Sequence, residues 1–237
     1  VISSFYAIYH GPKGLKLIAE RVHRYSQILV KGLEQLGYQV ISQQYFDTFV
    51  IKVPSRAKRI ASVAEESGVN LRKIDDDHLG ISLDETTSRQ TIRKVWRIFV
   101  GFNADLPDIN ALDQQLTDCI PSSLLRQDEI LQHPVFEQYH SETKMMRYMR
   151  RLARKDIALD RSMIPLGSCT MKLNSATEMQ AISYHEFNGL HPFAPLYQTL
   201  GYQQLFDELE DMLCDITGFD AFSLQPNAGS QGEYAGL

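Results

Sequence analysis

The chain has 237 residues, of which 43% are hydrophobic and 22% charged, with a net charge of −5. That length can bury a sizeable core, and mildly acidic charge mixed along the chain argues against a broad nucleic-acid footprint. No apolar run reaches the ~18 residues of a membrane helix. The three scattered cysteines, Cys119, Cys169 and Cys214, with no CxxC spacing, argue against a zinc site or disulfide scaffold and suit a reducing compartment.

The first predicted element is a helix over 15–36. Leu15, Ile18, Val22, Tyr25, Leu29, Leu33 and Leu36 recur in steps of three and four and make one apolar stripe. Gly37 suits the left-handed position that closes such a helix. "DTFVIKV" at 47–53 is β-branched and aromatic and predicts a strand, ended by Pro54. A helix over 56–68, stopping at Gly68, follows. Strands are predicted at 69–75 and 78–84, joined by an aspartate-rich turn. A helix from about Ser88 to Val100 turns Ile92, Val95, Trp96 and Phe99 inward, with Gly101 beyond it. This order suits a small α+β domain with helices on one face of a mostly antiparallel sheet.

Residues 101–140 carry only short apolar pieces and prolines, and read as a connector with short helices. A helix over 141–155 is expected next, with Ser141 able to cap it and Met145, Met149 and Leu152 inward. The basic cluster Arg147, Arg150, Arg151, Arg154 and Lys155 reads most simply as a solvated helix face. Further on, 175–187 is predicted helical and 189–202 a proline-punctuated loop. Leu205, Leu209, Met212, Leu213 and Ile216 predict another helix, closed by Gly218. "FDAFSLQ" at 219–225 reads as a short strand and "PNAGSQGEYAGL" at 226–237 as a glycine-rich turn entering a helix. Both ends of the sequence read as helix interior, so the chain is expected to be a fragment of a longer polypeptide.

Two stretches can carry chemistry. At 227–232, a strand–turn–helix layout with Gly229, Ser230 and Gly232 offers free amides and a hydroxyl to a phosphate. It is neither GxGxxG nor a Walker loop, and an ordinary turn is the plain alternative. "PLGSCTMKLN" at 165–174 puts hydroxyl, thiol, ammonium and amide groups on irregular backbone, which suits a substrate anion or a packed interdomain loop equally. Cys169 shows no partner base that would make it a nucleophile. His133, His140, His185 and His191 match no firm metal spacing, and each reads more simply as structural.

The runs "YHGPKGLKLIAERVHR", "YFDTFVIKV", "GISLDETT", "RQDEILQHPVFEQYHSETKMMRYMRRLARKDIALDRSMIPLGSCTMKLN", "LHPFAP" and "GYQQLFDELEDMLCDITGFDAFSLQPNAGSQGEYAGL" occur in order and cover nearly the whole chain. Together they resemble the glycine cleavage system P-protein family. The resemblance implies an α/β protein: an α+β small domain followed by the start of a type I pyridoxal-phosphate-dependent transferase-like large domain. Residues 1–100 would close a first half, 101–160 would connect, and 161–237 would open the cofactor-binding half. It implies pyridoxal 5'-phosphate as cofactor, with its phosphate on Ala228, Gly229, Ser230 and Gln231. Ser168, Thr170, Lys172 and His191 would lie on the substrate side.

The implied activity decarboxylates glycine and transfers its aminomethyl group to the lipoyl arm of H-protein. Other glycine cleavage subunits are implied partners, with a homodimer at full length, no nucleic acid and no membrane, in bacterial cytoplasm or mitochondrial matrix. The cofactor lysine of the family follows a histidine, and none of the ten lysines here does. The lysine is therefore expected beyond Leu237, and this chain alone is expected to be inactive. A different type I pyridoxal-phosphate enzyme, or a non-catalytic interaction module, are the alternative readings.

Overall fold

A computed structural model describes residues 1–117, 120–155 and 175–237. The chain divides into two compact units, Val1–Arg161 and Ser162–Leu237.

The first unit begins with α1, Ile2–Gln35, a helix broken once. The break is at Gly11, whose φ of 63° and ψ of 178° leave the helical region, immediately before Pro12. Proline has no N–H to continue the helical ladder, so the chain bends there. The bend is filled from outside: the His140 ring pairs through Nδ1 with the Tyr9 carbonyl at 2.7 Å. A Cβ on Gly11 would fall 2.6 Å from both His140 Cε1 and the Phe136 carbonyl oxygen, so only glycine fits. The sequence pattern located the second segment of this helix, and α1 extends it back to Ile2. At its far end Gly37 takes a φ of 86°, and the Tyr38 N–H reaches the Leu33 carbonyl at 2.9 Å. That is the left-handed closure expected from the glycine.

Four strands follow: β1 Gln39–Val40, β2 Thr48–Lys52, β3 Arg72–Lys73 and β4 His78–Ser82. They pair antiparallel throughout, in the order β1-β2-β4-β3. Phe49 stands opposite Ile81 and Ile51 opposite Leu79, which gathers four buried side chains on one face. That face is covered by α1, by α2 (Ala57–Glu66) and by α3 (Arg89–Val100). Ser88 caps α3 through a reciprocal pair with Thr91, and Ile92, Val95, Trp96 and Phe99 are buried as their spacing predicts. β3 keeps only two residues of the predicted 69–75 strand, because only Arg72 and Lys73 find partners on β4.

Trp96 is the centre of this core. It is fully buried, and its Nε1–H donates to the Leu29 carbonyl at 3.1 Å. Gly32, one helical turn from Leu29, lets the indole lie against the α1 backbone. A Cβ there would sit 2.6 Å from Trp96 Nε1 and closer still to Cε2 and Cζ2.

Beyond α3, the chain returns to the same core. α4, Ile109–Gln115, buries Ile109 and Leu112. Arg24 on α1 holds it: Nε donates to Asp113 at 2.7 Å and a terminal nitrogen donates to the Leu116 carbonyl at 3.0 Å. Single helical turns at Ser122–Leu124 and Pro134–Glu137 precede α5, Glu142–Ala153. Ser141 occupies the cap position of α5 but its side chain makes no capping hydrogen bond. Of the predicted inner face only Met145 is buried; Met149 and Leu152 are 47% and 37% exposed. Tyr148 takes their place, stacking on Tyr139 at 4.2 Å and meeting Phe5 edge-on at 6.2 Å. An aromatic seat has thus replaced the expected methionine face.

Candidate cofactor-phosphate site

The second unit contains the residues that the sequence singled out for a cofactor. Its described part opens with α6, Ala176–Ala181, capped by a reciprocal Ser175–Glu178 pair, and α7, His185–Asn188. The single helix expected over 175–187 is therefore two, separated by a turn at 182–184. The segment up to α8 (Leu200–Thr217) is loop with a helical turn at Leu196–Gln198, as the prolines indicate.

Gly218 ends α8 with a φ of 75°, its N–H bonded to the Cys214 carbonyl at 2.8 Å. The next residues, 219–226, have no regular structure and join no ladder among the described residues, so the predicted strand at 219–225 is not formed here. A strand is a paired object, and a local run of residues does not supply the partner. The segment is tied back to α8 instead: the Phe222 N–H donates to Glu210 Oε1 at 3.1 Å, and Phe219 and Phe222 lie 5.9 Å apart.

This run delivers the chain to α9, Gly229–Ala235, with Ala228 as the residue before its first turn. No side chain caps that turn, and no acidic residue lies in it. Its first amides are therefore left for solvent or a ligand. Gln231 folds back so that its Oε1 accepts the Asn227 N–H at 2.6 Å, which closes the turn 227–231. Gly232 closes the other side, its N–H donating to the Ala228 carbonyl at 3.0 Å. A Cβ built on Gly229 meets no atom within 4 Å, so the space above the amides is open. The Ser230 hydroxyl has no partner among the described residues. A seven-residue helix adds little dipole, so what the turn offers an anion is its amides and that hydroxyl. This donor set fits a phosphate, and Ala228, Gly229, Ser230 and Gln231 stand together at it.

Of the other expected site residues, only His191 lies among the described residues. His191 is bound into its own loop: its Nδ1 accepts the Phe193 N–H at 3.0 Å, and the two rings lie 5.9 Å apart. Ser168, Thr170 and Lys172 lie outside the described residues, as do Cys119 and Cys169. Among the described residues no group of three or more His, Cys, Asp or Glu side chains is placed to hold a metal. The Glu210 anchor and the Gln231 clasp are the features that sequence reasoning did not find. The first joins positions twelve apart that only the fold brings together, and the second spans four residues but carries no recognised sequence signature.

Cys214 on α8 is disfavoured as a nucleophile in this setting. Burial raises its pKa first, and the neighbouring carboxylates of Glu210, Asp211 and Asp215 raise it further. A raised pKa leaves less thiolate at neutral pH, and the thiolate is the reactive form. Iodoacetamide is therefore expected to label Cys214 more slowly than it labels free cysteine at pH 8. The gap should narrow as pH rises through the raised pKa. Labelling as fast as free cysteine at pH 7 would contradict this.

Residues 1–99 match the family model described as "Glycine cleavage system P-protein". Over all 237 residues the chain is 50% identical to a protein of Cupriavidus metallidurans (strain CH34) named "Glycine dehydrogenase (decarboxylating)". It covers 100% of this chain and 24% of that relative, so the chain spans about a quarter of the relative's length. With residues 1–99 matched by the family model and 50% identity to a glycine dehydrogenase over all 237 residues, the chain is similar throughout to the glycine cleavage system P-proteins.

Proposed function

We propose that these residues serve a glycine dehydrogenase (decarboxylating). The reaction releases the glycine carboxylate as CO2 and passes the aminomethyl group to the lipoyl disulfide of H-protein, which is thereby reduced. The observation that carries this reading is the 50% identity to that glycine dehydrogenase over all 237 residues. No helix among the described residues is long and apolar enough to cross a membrane. The reading puts the protein in bacterial cytoplasm, where a lipoyl-bearing partner would meet it.

Pyridoxal 5'-phosphate, when bound, would supply the electron sink that lets the carboxylate leave. The amides of Gly229 and Ser230 and the Ser230 hydroxyl would hold its phosphate. Ala228 and Gln231 would keep the turn in shape, the latter through Asn227. Glu210 would fix the approach to the turn through Phe222. Ser168, Thr170, Lys172 and His191 would bind and orient glycine's carboxylate and exclude water. None of the ten lysines follows a histidine, so the 237 residues by themselves are inactive in this reading.

The test uses the full-length holoenzyme with carboxyl-labelled glycine. Label should leave as CO2 much faster when a lipoyl acceptor, lipoylated H-protein above all, is also present. Release that ignores the lipoyl partner, or conversion of glycine to glyoxylate without CO2, would overturn the reading.

A further inference from the structure

The proposed reaction needs a protein carrier to come and go, and the first unit has a face suited to one. Residues 142–155 hold Lys144, Arg147, Arg150, Arg151, Arg154 and Lys155 against a single carboxylate, Glu142. They carry +5 in a chain whose total is −5. α5 is not a loosely attached basic arm. Met145 is buried, Tyr148 is stacked on Tyr139, and Arg151 lies over both rings, 5.5 and 5.4 Å from their centroids. The helix is held from that side. On its outward side stand Met146, 62% exposed, with Met149, Arg147 and Arg154. Lys144, Arg147 and Arg154 make no side-chain hydrogen bond or ion pair among the described residues.

We propose that this outward face of α5 docks an acidic protein surface, that of the lipoyl-bearing H-protein; the inference rests on the reaction proposed above. Unpaired cations on a rigid helix attract a negative partner and raise its encounter rate without slowing its release. Arginine and methionine are enriched where proteins meet and lysine is depleted, which matches the outward set of Arg147, Arg154, Met146 and Met149. A nucleic acid is the poorer match, because the chain's overall negative charge would repel a long polyanion and exposed methionines offer it nothing. In sequence, Lys172, one of the proposed substrate-side residues, follows Ala153 by 19 positions.

The experiment compares wild type with R147E/R154E in the full-length holoenzyme, using lipoylated H-protein and, separately, free lipoate as acceptor. A charge-matched control, K58E/R59E, reverses two exposed cations of α2. The KM for H-protein should rise about tenfold in R147E/R154E, with a far smaller fall in kcat. Its rate should also lose most of the wild type's sensitivity to salt. The ratio of rates with H-protein and with free lipoate should fall, and the control should leave that ratio where it was. An unchanged KM for H-protein, in a variant with wild-type melting temperature, would overturn the docking face while leaving the reaction standing. No CO2 release by wild type with either acceptor would overturn the reaction itself. If a mixed-sequence RNA bound wild type and was lost by R147E/R154E, with KM for H-protein unmoved, the face would belong to nucleic acid and the proposal would fall.

Discussion

Gly32→Ala is expected to destabilise the 237-residue chain by about 1–3 kcal/mol, the usual penalty of overpacking a filled core. At an exposed helix position the same change would instead add about 1 kcal/mol, since alanine is the better helix former. The sign reverses because of Trp96. The added methyl would stand 2.6 Å from Nε1, with Cε2 and Cζ2 nearer, and the indole is fully buried with no room to retreat. Moving the ring would also stretch its hydrogen bond to the Leu29 carbonyl, now 3.1 Å long. The complementary change, Trp96→Ala, opens the core and should cost about 3–5 kcal/mol. Trp96→Phe removes the ring atoms that the methyl would strike, so Gly32→Ala should cost at least ~1 kcal/mol less in that background. Urea unfolding checks this. Trp96 is the one tryptophan, so its fluorescence reports the transition in Gly32→Ala. Circular dichroism serves the Trp96 variants. A Gly32→Ala midpoint equal to or above wild type would show that the indole does not pack as described.

The same pair shows what the sequence could and could not tell. Trp96 was legible as a core residue, because Ile92, Val95, Trp96 and Phe99 recur at helical spacing after a serine cap. Its partner Gly32 was not, because a glycine inside an apolar stripe carries no sign of what approaches it 64 positions later in the chain. The β2 strand was readable from its β-branched and aromatic run and β4 as a segment after an aspartate-rich turn, and their register was not. The break at Gly11 is written in the Gly-Pro pair, yet His140, which fills it, comes from a distant segment.

In the second unit the stripe of α8 predicted a helix correctly, while the short run at 219–225 was read as a strand that has no partner among the described residues. A helix closes its own hydrogen bonds and a strand borrows them, so local pattern serves the first better. The candidate site divides in the same way. The turn at Ala228–Gln231 was visible as a glycine-rich helix entry. That it is left uncapped, and that Gln231 turns back to hold Asn227, are properties of the folded chain.

Ser230→Ala should weaken binding of pyridoxal 5'-phosphate by the full-length protein about ten- to a hundredfold, without lowering its melting temperature in the absence of cofactor. The hydroxyl would donate to a charged phosphate oxygen, and a hydrogen bond to a charged group contributes about 1.5–3 kcal/mol. No described residue uses that hydroxyl, so its loss costs the fold nothing. Gly229→Val tests the same surface sterically. The φ of Gly229 is not left-handed, and no atom lies within 4 Å of a Cβ placed there, so a branched side chain is accommodated by the apo chain. The same methyls would stand over amides that a phosphate must approach closely, and the loss should equal or exceed that of Ser230→Ala. Equilibrium dialysis against the cofactor measures the effect directly, without relying on turnover. Tolerance of Gly229→Val in both fold and affinity would mean that the phosphate rests elsewhere. A lowered apo melting temperature would instead mean that the turn is packed against residues that the described part of the chain does not contain. The two variants therefore separate a role in holding the anion from a role in holding the fold, because only the first predicts that affinity falls while apo stability does not.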